Sequence, residues 1–240
     1  MEKLLYAFWR GDEPAATLRA RFVGEVAPRI TDLGAARLQF NITDFDDLAG
    51  ALANFSIASM TPPPDGIVSF WLTSAWRRAP VERVVREVFV RSAGYVVAES
   101  TILPNVAHPG REGGRTAGFS QVTFLQIPPR LGATDWRRIW FTEHTSVAIE
   151  TQANFRYVQN VVVMPLAADC PPVAGIVEEC FPIEGLRDPH AFFGSGGDAQ
   201  ELQRRTARMR ASTAKFIDLD RLDVIATSEY LLHAAREPGL

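Results

Sequence analysis

A single histidine, His144, sits within a helical pattern, WRRIWFTEHTSVAIET at 136–151. An imidazole that titrates near neutral pH can take a proton from one place and return it to another. At about 100° per residue, Trp136, Trp140, Phe141, His144, Val147, Ala148 and Thr151 share roughly 140° of one face, and Arg138, Thr142, Thr145 and Ser146 take the opposite, wet one. His144 therefore points toward a core or a cavity. A core histidine bonded to a backbone carbonyl is the competing account.

A second candidate group is Glu178 in GIVEECF at 175–181. A carboxylate among Ile176, Val177 and Phe181 is costly unless paired or neutral. Strand alternation places Glu178 and Cys180 on one face and Val177, Glu179 and Phe181 on the other. Facing the helix, Glu178 would orient His144 or act as an acid of raised pKa; alternatively, one of Glu178 and Glu179 reaches solvent at a sheet edge. In FRYVQNVV, Tyr157 shares a face with Gln159 and could donate to a developing oxyanion. Asn160 falls on the other face. Trp136, Trp140 and Phe141 could stack on a flat ligand, with Gln159 beside them, or they could simply pack the core. His144, Glu178 and Tyr157 are thus the catalytic candidates, and Trp140, Phe141, Trp136 and Gln159 the substrate-binding ones.

Other chemistries find little support. His108, His144, His190 and His233 show no metal-ligand spacing, and a Ser-His-Asp set would lack its GxSxG elbow. GSGGD at 194–198 does not follow a strand as a dinucleotide loop would. No metal or cofactor is expected. The formal charge of −3 in 240 residues speaks against nucleic acid or an anionic membrane as partner. The densest basic group, Arg204, Arg205, Arg208 and Arg210, shares its helix with Glu201 and reads as a solvated face. No apolar run approaches a spanning helix, KLLYAFW is no signal peptide, and Cys170 and Cys180 read as reduced thiols. A cytoplasmic protein is expected.

The elements that must position these residues come in two similar series. The first reads strand 3–9, a helix opened by Pro14 and ended at Gly34, strand 36–43, a long stretch through Pro62–Pro64, strand 66–73, a helix at 80–92 closed by Gly94, and strand 95–103. The second reads strand 118–127, helix 133–152, strands 155–164 and 175–183, helical segments 188–194 and 198–214, and strand 222–232. RDPHAFFGSGGDAQ between those segments is an inter-helix loop or a lid. Each series is β-α-β-β-α-β, the ferredoxin-like order. A polar, Gly-rich linker (NVAHPGREGGRTAG) separates residues 1–105 from 115–240. Offsets of 118 or 119 align Arg19 with Arg137, Glu25 with Glu143 and Asn41 with Asn160, and GIVSFWL at 66–72 sits against GIVEECF. That agreement in order implies internal duplication. In the first copy Val26 stands where His144 should be, and Ser69 where Glu178 is. Because the strands are apolar on both faces, each sheet needs a cover, and the other copy supplies it. The expected fold is α+β: two tandem ferredoxin-like units packed sheet to sheet as an intrachain α+β barrel, present as a monomeric pseudo-dimer or a homodimer.

The pattern TEHTSVA with its histidine, the strands FRYVQNVV and AGIVEECF, and the terminal FIDLDRLDVIATSEYLL together resemble the EthD-like family of the dimeric α+β barrel superfamily. The resemblance covers most of 115–235, and 1–105 only as a degraded copy. It implies a cavity between sheet and helices that handles hydrophobic, aromatic or polyketide-like compounds by cyclisation, dehydration, decarboxylation or oxygenation without a metal. Membership bounds the function without naming it. The leading expectation is a lyase-type step, dehydration or decarboxylation, by metal-free acid–base catalysis; a cyclase or cofactor-free oxygenase ranks behind it. The competing class is a non-catalytic protein that binds a hydrophobic small-molecule ligand for an oxidative pathway.

Overall fold

The computed structural model describes residues 1–45, 56–108 and 114–232. Part of the expected linker (109–113) and His233 lie outside these residues. Among the described residues are eight strands: β1 (Glu2–Trp9), β2 (Ala36–Ile42), β3 (Gly66–Leu72), β4 (Arg91–Leu103), β5 (Phe119–Leu125), β6 (Arg156–Pro165), β7 (Gly175–Phe181) and β8 (Leu222–Leu231). They join in the order β1-β3-β2-β8-β5-β7-β6-β4, which closes into one barrel, and every neighbouring pair is antiparallel. The first four strands therefore stand as β4-β1-β3-β2 and the last four as β8-β5-β7-β6. Closure is made at β2·β8 and β4·β6, so the barrel has no free edge.

Two long helices interrupt the strand series. α1 runs through Ala15–Arg21, a π-turn at Phe22–Val26, and Ala27–Asp32. α3 runs through Ala133–Arg138, a π-turn at Ile139–His144, and Thr145–Thr151. α2 (Ala79–Val88), α4 (Pro189–Phe193) and α5 (Ala199–Thr213) complete the main helices. α2 is shorter than the sequence pattern suggests. It stops at Val88 because Phe89 is already extended (φ −108°, ψ 140°) and buried in the helix-facing core. Gly94, expected to close this helix, instead lies inside β4, where a Cβ would come within 2.4 Å of the Tyr6 ring.

Alternation along β1 shows how both strand faces become buried. Leu4, Tyr6 and Phe8 pack with Leu18, Phe22 and Val26 of α1 and Val81 and Val85 of α2. Leu5 and Ala7 face inward, with Ile67, Tyr95, Val97, Val122, Phe124, Ile176 and Ile225. The helices thus coat the outside of a barrel whose interior has its own core.

One end of that interior is ionic. Lys3 Nζ donates to Glu99 (2.6 Å), Asn160 Oδ1 (2.9 Å) and Glu178 Oε1 (3.0 Å). Glu178 also accepts from Gln39 Nε2 and Asn160 Nδ2 and pairs with Arg156, which pairs in turn with Glu229 at 2.9 Å. Burial alone would raise the Glu178 carboxyl, but the Lys3 ammonium and Arg156 guanidinium outweigh it and lower it to about 2. This settles the position of Glu178, which faces into the barrel and away from α3, so it cannot orient His144.

Removing one partner from a buried ion cluster strands the others, at a cost of about 3–5 kcal/mol. Glu178→Ala should therefore lose roughly that much stability at pH 7 in denaturant unfolding. Because the folded pKa is depressed from 4.5 to about 2, the wild-type contribution is complete above pH 4.5 and is lost as pH falls toward 2. A loss that stays below about 1 kcal/mol would rule out this cluster as a principal tie between strands.

Candidate functional site

The site is built on the π-turn of α3. A π-turn adds a residue to a helical turn and often marks a functional position; here the Thr145 N–H reaches back to the Trp140 carbonyl. That extra residue rotates the remainder of the helix. Thr145, expected on the wet face, is half-buried and accepts from Gln159 Nε2 of β6 at 2.9 Å. His144, the last residue of the turn, is 8% exposed. Its Nδ1 lies 3.0 Å from Ser212 Oγ of α5, and its ring rests against Phe216 with centroids 4.8 Å apart. Burial lowers its pKa from 6.5 to about 4, so the imidazole is neutral at pH 7.

Opposite the helix, three polar side chains lie side by side on the outer face of the sheet. Glu179 of β7 is directly across from Gln121 of β5 and from Tyr157 of β6. Partners in such register have Cβ atoms about 5 Å apart. Asn154 Nδ2 donates to Glu179 Oε1 at 2.8 Å, and Gln121 Nε2 approaches Oε2 at 3.4 Å. Burial raises the Glu179 pKa from 4.5 to about 7, against the opposing Asn154 hydrogen bond. Tyr157 is also pushed up, first by burial and then by the Glu179 charge, and remains a phenol. Its oxygen accepts from Gln159 Nε2 at 2.9 Å. The phenol also hydrogen-bonds with the Trp140 and Thr145 side chains.

Between this row and the helices opens a cavity of about 710 Å³. Its wall includes His144, Tyr157, Trp140, Glu179, Gln121 and Thr123, together with Phe192 and Phe193 of α4, Met209 of α5, and Phe216. Gly175 at the start of β7 makes room for this wall, since a Cβ there would stand 2.6 Å from the Trp140 ring. α4 is capped by Asp188, which accepts from the His190 N–H, and is followed by Gly194, Gly196 and Gly197, all at positive φ. The segment read as a loop or lid thus contributes part of the cavity wall. The arginines of α5 pair on the outside, Arg204 and Arg205 with Glu201 and Arg208 with Glu150.

The residues singled out from sequence separate here. His144, Tyr157 and Trp140 meet in the cavity. Gln159 stands behind Tyr157 and holds its hydroxyl. Trp136 is fully buried, tilted against Trp140, with Nε1 donating to the Phe216 carbonyl. Phe141 stacks on Trp140 at 4.9 Å but is not part of the wall. Glu178 is in the barrel interior, and the carboxyl that reaches the cavity belongs to its neighbour Glu179. Alternation alone places Glu179 on the Val177–Phe181 face; it does not say which of the two faces looks toward α3. Asn154 and Ser212 carry no signal of their own in the sequence. Among the described residues no His, Cys, Asp or Glu side chains converge in threes as metal ligands would.

No family model matches the sequence, and no curated protein matches it either. Solved structures do. An anthrone oxidase-like protein is similar over 100% of this chain and 96% of its own, with a TM-score of 0.54 and 10% identity. A candidate monooxygenase from Fusobacterium nucleatum subsp. nucleatum ATCC 25586 covers 100% and 95%, with a TM-score of 0.53 and 8% identity. Another from Lactobacillus acidophilus NCFM covers 98% and 97%, with a TM-score of 0.50 and 8% identity. Together with the closed barrel, these likenesses place the fold in the dimeric α+β barrel type. At such identities the likeness is one of fold.

Asn154 supplies the hydrogen bond that restrains the Glu179 shift, so Asn154→Ala should move the carboxyl midpoint further above 7, as read by carbon-13 NMR of the glutamate side chains. A midpoint that falls or stays put would exclude this pairing. Stability gives a second readout. With its folded pKa raised from 4.5 to about 7, Glu179 contributes most below pH 4.5 and loses that contribution as pH rises to 7. Glu179→Gln should therefore be more stable than wild type at pH 8, by up to about 3 kcal/mol, and gain little at pH 5. His144, with a depressed pKa, has the opposite slope between pH 4 and 6.5, so the wild-type profile alone hides both.

Proposed function

We propose that the protein is a small-molecule enzyme that removes a proton from a hydrophobic, flat carbonyl or phenolic compound bound in the cavity of its second half. The observation that carries this reading is the direct register of Glu179 with Tyr157. A carboxyl poised near neutrality stands beside a phenol that lines the same cavity. Glu179 would take the proton from a carbon or oxygen acid, and Tyr157 would donate to the oxygen on which charge develops. His144, neutral and fixed by Ser212, would serve as a second donor or acceptor for the same ligand. The role that the sequence pattern suggests for Glu178 passes to Glu179. The proton step itself uses these side chains and no further group.

The first half supports this reading by contrast. Aligned on GIVSFWL and GIVEECF, Glu179 corresponds to Phe70, and the 118 and 119 offsets set His144 against Val26, Tyr157 against Leu38 and Gln159 against Phe40. All four counterparts are buried in an apolar cluster. We infer a tandem duplication of a ferredoxin-like unit, residues 1–105 being the structural copy and 115–240 the EthD-type copy with the site. The matching strand orders and the π-turn in both long helices support that descent.

From the enolate-like anion, loss of a β-hydroxyl, protonated as it leaves by the Glu179 carboxyl that took the first proton, gives dehydration, the lyase reaction. A second outcome is favoured by the names of the structural neighbours: the same anion could react with dioxygen, as in an oxidation of anthrone. Either reaction requires the proton step. Anthrone in oxygenated buffer is the first compound to test, with oxygen uptake and product mass as readouts. Turnover should fall along an acid limb near pH 7 as Glu179 becomes protonated. Glu179→Gln should abolish it, and Tyr157→Phe should lower kcat by about a hundredfold. His144→Ala should lose turnover while retaining ligand. If Glu179→Gln turns over an identified substrate at the wild-type rate, Glu179 is not the base and the proposed proton step fails.

A further inference from the structure

The cavity wall contains two residues that bear formal charge, Glu179 at its sheet face and Arg187. They differ in how they are satisfied. Glu179 is buried and bonded to Asn154. Arg187 is exposed, and among the described residues its guanidinium meets no carboxylate, carbonyl or aromatic ring. Its own backbone N–H is used, donating to the Glu184 carbonyl at 3.0 Å, which fixes the residue just ahead of α4. The adjacent Asp188 carboxylate caps α4 through the His190 N–H at 2.8 Å, and no ion pair joins it to Arg187 among the described residues. The cation therefore belongs to the cavity wall, with five donors in a planar fork suited to a carboxylate or sulfonate.

We propose that the ligand is amphipathic: a flat apolar body against Trp140, Phe192 and Phe216, and one anionic group paired with Arg187. The proposal rests on the reading of this cavity as a small-molecule site and narrows its substrate to an aromatic or polyketide-like acid. The neutral imidazole of His144 and the neutral phenol of Tyr157 leave the deep end without a fixed cation, so the anionic group sits at Arg187 and the carbonyl or phenolic end lies inward. Such an arrangement gives the ligand one orientation, with its reacting end toward Glu179.

Two fluorescent probes of nearly equal shape test this: 8-anilinonaphthalene-1-sulfonate, an anion, and N-phenyl-1-naphthylamine, its neutral counterpart. Titrated into the intact protein at pH 7, with energy transfer from tryptophan as readout, the anion should bind about fivefold more tightly. Arg187→Gln should remove that advantage and leave the neutral probe's affinity unchanged, whereas Arg77→Gln, an exposed arginine in the first half, should change neither. Loss of the advantage in Arg77→Gln, equal binding of both probes to wild type, or an Arg187→Gln effect shared by both probes would overturn the anionic assignment. If neither probe binds, the cavity reading itself fails. Met209→Trp, which fills the cavity, should weaken both probes in a protein whose circular dichroism is unchanged; undiminished binding would place the probes elsewhere and overturn the assignment.

Discussion

Everything in this chain depends on how charge is buried inside a closed barrel. Lys3 and Glu99 come from the first four strands and Asn160, Glu178, Arg156 and Glu229 from the last four, and the bonds of Lys3 to Asn160 and Glu178 and of Gln39 to Glu178 cross from one series to the other. Buried charges are costly unless paired, so the Lys3–Glu178 pair does not tolerate separation of the two halves. The backbone seams at β2·β8 and β4·β6 bring the strands together, and the ion cluster makes one relative register better than its neighbours. A slip by one residue would turn every interior charge outward and every apolar outer residue inward.

The same alternation places two glutamates, adjacent in sequence, in opposite environments. Glu178 faces two cations and is held ionised down to about pH 2, whereas Glu179 faces the cavity with amide donors but no cation and rises to about 7. Residue type is identical, so the difference belongs entirely to the surroundings. Under the proposed reaction, groups whose pKa values are driven apart in this way divide framework from chemistry. Here that division falls on a single peptide bond.

Much of the architecture was legible in the sequence because it is written in period and punctuation. The eight strands, the long helices and the inward direction of His144 all come from patterns that span many residues. Features set by one residue, or by a contact distant in the chain, were not legible. The π-turn changes the helical wheel by one position and brings Thr145 onto the sheet. The inside–outside assignment of Glu178 and Glu179 depends on which sheet face meets α3, which no local pattern records. Asn154 and Ser212 act through partners 25 and 68 residues away, and neither residue type is unusual where it stands.

An open cavity lined with polar groups is a weak point in a core, because it forgoes packing and leaves carboxyl and amide groups short of partners. The first half is built in the contrary way. Phe8 stacks on Phe89 at 4.1 Å and on Phe40 at 5.5 Å, and Phe22 stacks on Phe40 at 4.1 Å, filling the volume that the second half leaves open. Aromatic pairs of this kind add about 0.5–1.5 kcal/mol each beyond their buried area. Since the two halves share one barrel and close each other's edges, stability gained in the first is available to the second. A homodimer of identical units has to support every cavity with the same sequence that forms it. A chain with two different halves is released from that requirement: Val26, Leu38 and Phe70 pack for stability while His144, Tyr157 and Glu179 line a cavity.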